Sequence, residues 1–529
     1  MRSSIFISLL AIVALSFFLT VYQQQLSPPC FSTDEAAFGY NAYSLLKTGK
    51  DEYGKTLPLR LESFGDYKLP LYSYLSVPFV KVFGLNETST RMVNLITMSL
   101  LPLAVFFLAK ELFNDDRVGI IAAFLVATSL GLHILGRQAH EGLLAVFFIT
   151  ITSLFFIRFL KYRKLQDTIL FLASAFLALF SYHLSRVPIV FLILYAIFYI
   201  WQKNQGKKIL VLLIAALILF FLPDFLYPPA RVKNLLFFNN IGYSLKINEL
   251  RAEGGNRLFY NKITSAVPEV INQYLVYFSP QFLINIGDEN MRFGFSGMGP
   301  ITVIEYIGLG IGLYYIFKNK KPWRYFLLLL LFIAPLSASL SWAGVSLTRS
   351  VFMFIPLSLI VAYGYVQLLQ NIHKKYFSLT AILLASTFLL FLAYHWDFYL
   401  FHYPKRALTI HAWQCGNREM ANYIKTNYNR FDNFYITRRN GQPYIFLLFY
   451  LGYSPEKYQK QATLSTPDEF GFGQVEKFDK FIFHFEHNPS IKNAAFIGYP
   501  DEFGTTPFDP SKMKKIKAGT EEMFWIYEN

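Results

Sequence analysis

Long hydrophobic runs separated by short basic loops limit what this chain can fold into more than any other feature. Hydrocarbon about 30 Å thick takes roughly 20 apolar residues per helical crossing. About eleven runs approach that length. They are Ser4–Val21, Met92–Ala109, Val118–Leu135, Gly142–Ile157, Thr168–Tyr182, Val187–Trp201, Ile209–Leu226, Ile301–Phe317, Tyr325–Leu340, Val351–Leu369 and Phe377–Tyr394. With 54% of 529 residues hydrophobic and only 16% charged, the composition is not that of a soluble protein. The first run lacks a small-x-small cleavage site and leads into Gln23-Gln24-Gln25, so it reads as a retained helix and not a signal peptide.

Basic residues cluster in alternate short loops: Arg158, Lys161, Arg163 and Lys164; Lys203, Lys207 and Lys208; Lys318, Lys320, Lys321 and Arg324; Lys374 and Lys375. With about eleven crossings every cluster falls on one side, and the positive-inside rule makes that side and the N-terminus cytoplasmic. The net charge of +15 then reflects topology, and no basic domain supports nucleic-acid binding. The predicted architecture is a polytopic α-helical protein of the cytoplasmic membrane. Its membrane domain would cover residues 1–395, with outer loops at 22–91 and 227–300, and a small extracytoplasmic α/β domain would follow at 396–529. In that tail, Phe434-Tyr435-Ile436-Thr437 and Lys480 to His484 alternate like strands, and Ala412 to Asn427 reads as a helix. The two cysteines, Cys30 and Cys415, both fall outside and could form a disulfide, which spacing alone does not decide.

Within the first outer loop, Ser32-Thr33-Asp34-Glu35 has the form of a capping box. Ser32 would be the N-cap and Glu35 the third residue of a helix running through Leu46 and stopped by Thr48-Gly49. Asp34 would occupy the first turn, where the helix dipole favours its ionised form and leaves it a base at neutral pH. The alternative is that both acids only cap an interfacial helix. Asp66-Tyr67-Lys68-Leu69-Pro70 follows, then a second amphipathic helix over Tyr72 to Val82. Lys68 there could meet a lipid phosphate as a point charge, or could simply snorkel to the surface.

Further ionisable residues sit in turns too short to leave the bundle mouth: Arg137, His140 and Glu141 in one, His183 and Arg186 in another. Arg292, preceded by Asp288, and Arg349 lie at the outer starts of later runs. Each alone reads equally as an interfacial anchor.

Taken together, Asp34-Glu35 after the first helix, Asp66 through Tyr72, and Arg137 with Glu141 resemble the GT-C glycosyltransferases over residues 1–394. The nearest group is that of the protein mannosyltransferases, aminoarabinose transferases and RgtA/B/C/D-like enzymes. Lys68-Leu69-Pro70 departs from the Lys-Pro-Pro frequent in that group. The resemblance implies a hexosyl or pentosyl transferase that moves a sugar from a polyprenyl-phosphate donor to a hydroxyl of a protein, glycan or lipid acceptor. It implies Asp34 as general base with Glu35 beside it, inversion at the anomeric carbon, and Lys68, Arg137, Arg186, Arg292 and Arg349 on the donor phosphate. Asp66, His140, Glu141 and His183 would support them. No obligatory metal or other cofactor is expected, a carboxylate–histidine site built from Glu141, His140 or His183 being the open alternative. A transporter or lipid-linked-sugar flippase is the competing reading, although the charges cluster at helix ends and not at the midplane.

Overall fold

A computed structural model describes residues 3–64, 66–203, 206–226, 241–295, 297–341, 344–439, 441–466, 475–504 and 508–529. The chain divides into two compact units, Met1–Gln24 with Asn94–Tyr399, and Gln25–Val93 with Leu400–Asn529. The units therefore cut the chain differently from a single boundary at residue 395, because the first polar loop groups with the tail.

The first unit is helical. α1 (Ser3–Val21) opens the chain and buries Ile5, Leu9 and Ile12 against Phe106, Ala123 and Ala127. α2 (Thr33–Thr48) and α3 (Leu71–Phe83) belong to the second unit, and α4 (Glu87–Phe113) follows. Asp115 caps the next helix, α5 (Asp116–Thr128), by accepting the Arg117 N–H at 2.9 Å. The run expected to be one helix over Val118–Leu135 is broken. Ser129 is extended, the chain bends by 55°, and α6 (Leu130–Gly136) resumes with Gly131 N–H donating to Pro300 O at 3.2 Å. Beyond α7 (Glu141–Tyr162), the remaining apolar runs fall on helix, including Leu165–Ser181, Lys207–Leu226 and Val303–Asn319, except that the run over Tyr325–Leu340 is parted into Arg324–Ile333 and Leu336–Ser339. Among the described residues, six helices are long and apolar enough to cross a membrane, or seven with the bent pair counted as one span. Two of the helices meet backbone to backbone: a Cβ on Gly364 would lie 2.6 Å from Gly312 Cα, and one on Gly312 would lie 2.2 Å from Ile360 O. Such small-residue contacts are how apolar helices gain dispersion energy where lipid is as apolar as leucine. Residues 227–240 of the middle polar loop lie outside the described residues.

In the second unit, strands β1 (Leu61–Ser63) and β2 (Asp66–Lys68) form a hairpin that pairs Leu61 with Lys68, and α3 covers the stretch expected to be an interfacial helix. The tail holds β3 (Asn433–Ile436), β4 (Thr463–Leu464), β5 (Val475–Phe478), β6 (Phe481–Ile482), β7 (Ala494–Gly498), β8 (Lys514–Ala518) and β9 (Glu521–Glu528). Their order in the sheet is β4-β5-β6-β3-β7-β9-β8. β3 runs parallel to β6 and β7, and β9 runs antiparallel to β7 and β8. β7 is buried at every residue, which is why it shows no polar alternation. The helix expected over Ala412–Asn427 is two helices, Ala407–Ala412 and Asn417–Asn427, parted where Gln414 and Gly416 take left-handed backbone angles.

Cys30 and Cys415 are disulfide-bonded with Cα atoms 5.4 Å apart, closing a loop across 385 residues of sequence. Cross-links of this kind stabilise by about 2–4 kcal/mol, chiefly through the unfolded chain. Cys30→Ser/Cys415→Ser is therefore expected to unfold at lower temperature than the oxidised parent, and reductant should shift the parent to match. A midpoint unmoved by either change would show that the pair is not bonded.

Candidate functional site

Ser32 is extended (φ −89°, ψ 162°), and the Glu35 carboxylate turns back to accept its N–H at 3.0 Å, so the expected cap forms. At the other end Gly49, at φ 67°, closes α2 by donating to Leu45 O at 2.9 Å. This geometry fixes the direction of both acids. Glu35 points inward and is wholly buried, its two oxygens met by Arg91 Nε at 2.7 Å and Nη2 at 3.0 Å. Arg91 Nη2 also donates to Cys30 O at 3.0 Å, which ties the guanidinium to the disulfide-bonded loop. Glu35, expected beside Asp34 in the chemistry, thus belongs to the fastening of the helix. Arg91 was not anticipated, since a basic residue abutting an apolar run reads as an anchor.

Asp34 points the other way, with 36% of its side chain exposed, and takes Lys68 Nζ on Oδ1 at 2.6 Å. Lys68 itself is only 8% exposed. The hairpin delivers it into a slot where its ammonium lies 4.7 Å from the Phe38 ring centroid and 5.1 Å from that of Phe64. Aromatic faces stabilise a desolvated cation that still finds a carboxylate. Asp66 lies in β2, paired with Ser63.

Sequence reasoning also passed over Glu52. Its carboxylate is fully buried, accepting from Tyr444 Oη at 2.9 Å and Asn41 Nδ2 at 3.2 Å, while its own N–H donates to Asn41 Oδ1 at 3.0 Å. Asn41 Nδ2 also reaches Ser63 Oγ at 3.1 Å, so one carboxamide on α2 joins this loop to the hairpin. Burial pushes the Glu52 carboxyl up to about 8; Tyr444 pulls it down, nearby Asp51 adds to the rise, and Lys68 opposes it. The Asp51-Glu52 pair in a polar loop was the available signal.

In the helical unit, Arg137 departs from the phosphate role expected of it. It is wholly buried and donates to the carbonyls of Leu19 and Thr20 through Nη1 and of Tyr22 through Nη2, serving the open C-terminal carbonyls of α1. His140 caps α7, its Nδ1 accepting Gly142 N–H at 2.9 Å, and its ring meets those of Tyr182 and Phe293 edge-on. Glu141 occupies the first turn of α7. Arg186 Nη1 contacts His183 Nδ1. The Arg292 guanidinium sits 5.0 Å from the Phe293 ring centroid. Asp288 accepts Leu347 N–H at 2.7 Å and Asn290 N–H at 2.9 Å, which fastens the segment carrying Arg349. Burial pushes the Asp288 carboxyl up. Arg349 donates to Ser341 Oγ at 2.7 Å and borders a narrow apolar slot with Tyr182, Ser185 and Phe352. Among the described residues, no group of three or more His, Cys, Asp or Glu side chains is gathered as a metal site.

The Glu52 environment makes a pH-dependent prediction. Folded Glu52 titrates near 8 against an ordinary 4.5, so between those values the folded chain keeps a proton that the unfolded chain has lost, and raising the pH costs stability. The unfolding temperature of the parent is expected to fall from about pH 5 to about pH 8 more steeply than that of Glu52→Gln, which cannot titrate. Parallel curves for the two proteins would disprove the protonated buried state.

Residues 68–227, a span that begins at Lys68 and includes Arg137, Glu141 and Arg186, match the family described as dolichyl-phosphate-mannose-protein mannosyltransferase. No curated protein matches the chain. In fold it is similar to ArnT from Cupriavidus metallidurans in the apo state, at 10% identity and a TM-score of 0.56, over 98% of this chain and 96% of that one. The same protein bound to undecaprenyl phosphate aligns at 11% identity and a TM-score of 0.54, over 99% and 98%. The oligosaccharyltransferase of Archaeoglobus fulgidus, solved with Zn and sulfate, aligns at 14% identity and a TM-score of 0.50 over 84% of this chain. The chain spans only 61% of that protein's length. The family match thus covers residues 68–227, under a third of the chain, and the likeness to the solved structures is one of fold.

Proposed function

We propose that this protein transfers a sugar from a polyprenyl-phosphate donor to an acceptor hydroxyl, with inversion, and that Asp34 is the general base. The observation that carries the reading is the half-open Asp34 carboxylate at the start of α2, set 2.6 Å from the sequestered ammonium of Lys68. In the reaction, Asp34 takes the acceptor O–H proton and that oxygen bonds to the anomeric carbon. The bond from that carbon to the lipid phosphate oxygen breaks, and the phosphate departs with the electron pair. Negative charge grows on the phosphate at that moment, and a nearby preorganised cation lowers the barrier to its growth. Lys68 supplies one such charge, with no obligatory metal. Undecaprenyl phosphate, bound by ArnT of Cupriavidus metallidurans, is the carrier class that this reading adopts.

Asp34→Asn tests the base directly. Losing a general base costs about 10²–10⁴-fold in rate, so sugar transfer in membranes from radiolabelled polyprenyl-phosphate sugars should drop by that factor while expression and folding persist. Activity within a few-fold of the parent would remove Asp34 from the chemistry.

The same reading has about eleven crossings, with the basic loops in the cytoplasm and residues 396–529 outside. In a cysteine-free background, Ser490→Cys is then expected to react with an impermeant thiol reagent on intact cells, and Asn319→Cys only after lysis. Reversed labelling would put Asp34 on the cytoplasmic side and exclude an extracytoplasmic lipid-linked donor.

A further inference from the structure

Thr33, immediately before Asp34, is held by the tail. Gln414 Oε1 accepts both the Thr33 N–H, at 3.3 Å, and the Thr33 Oγ1 hydroxyl, at 3.0 Å. The Thr33 N–H is one of the four that a helix start leaves without an intrahelical acceptor, so the carboxamide occupies the first open donor of α2. Adjoining Cys415 is bonded to Cys30. Two consecutive tail residues thus grip the chain on both sides of Ser32.

The grip is rigid on the Gln414 side. Gln414 has φ +53°, an angle that residues with a side chain seldom adopt. It is kept there by its N–H to His411 O at 3.0 Å, by Asn417 Nδ2 on its carbonyl at 2.7 Å, and by the wholly buried Trp413 before it. The other end of its carboxamide lies against Gly441, where a Cβ would come within 2.4 Å of Nε2. A residue forced into an uncommon backbone angle, with space cleared around its head group, is built for aim. If α2 needed only a cap, Ser32 and Glu35 would supply it.

We propose that Gln414 is a positioning residue for Asp34, fixing the first turn of α2 so that the carboxylate meets the acceptor hydroxyl. This rests on the assignment of Asp34 as the base. The tail then takes part in catalysis through one side chain. Misplacing a reacting group by about 1 Å can cost about a hundredfold in rate, a loss felt in turnover and not in donor affinity. The charged groups near Asp34 include Lys68 in contact with it, Glu35 on its own turn, which pairs with Arg91 of α4, and Glu52 near Lys68.

The test uses the full chain in membranes, with a panel of radiolabelled undecaprenyl-phosphate hexoses and pentoses, keeping whichever donor the parent turns over. Gln414→Ala is expected to lower kcat about ten- to a hundredfold with donor KM nearly unchanged. Gln414→Glu keeps the acceptor oxygen but sets a negative charge beside Asp34, so it should retain more turnover than Gln414→Ala and move the acid limb of kcat/KM to higher pH. A parent-like kcat in Gln414→Ala, a loss carried by donor KM, or an unshifted profile in Gln414→Glu would overturn the proposal. Should Gln414→Ala fail to fold, Gln414→Glu alone decides through its profile. Asp34→Asn measured alongside separates the two ideas. An active Asp34→Asn defeats the base assignment, whereas an inactive one beside a fully active Gln414→Ala defeats only the positioning role.

Discussion

Glu35 is sealed from water, and a carboxylate there is tolerable only because the Arg91 guanidinium meets both of its oxygens. Removing one partner of such a pair leaves an uncompensated buried charge and costs about 3–5 kcal/mol. Much else follows from this contact. The pair sets the entry angle of α2 and draws in the Cys30 carbonyl. With Glu35 turned inward, helical geometry sets its neighbour Asp34 about 100° round the axis, on a partly open side where Lys68 waits. Two adjacent acids of the same charge acquire opposite fates from a single register.

That register was legible in the sequence. Ser32-x-x-Glu35 marked the start of α2 and Gly49 its end, because capping depends on residues close together in the chain. The apolar runs were legible for the same reason, each being a local property. The break at Ser129 was not, since Gly131 trades its intrahelical partner for Pro300, far along the chain. The interrupted tail helix was hidden likewise, by the uncommon angle of Gln414.

Side-chain assignments fared by the same rule. Lys68 was expected to face a lipid phosphate or the membrane surface, and its ammonium lies on the Asp34 carboxylate. Arg137 looked like a cation waiting for an anion, but three carbonyls at the end of α1 claim its guanidinium, a demand that no pattern around residue 137 reveals. Glu52 stayed unnoticed because its burial depends on Tyr444, nearly four hundred residues later. Where a residue's neighbours come from distant chain, residue type tells what it can do but not what it is asked to do.

The contact between Gly312 and Gly364 has a consequence of its own. Two main chains that touch without intervening side chains cannot slide past one another without one carbonyl striking the other helix, so the pair is locked lengthwise like a key in a slot. Its cohesion comes from dispersion between the helices and owes little to the surrounding lipid. A bilayer that thickens or thins can tilt these two helices together, but it has no handle by which to shear them apart.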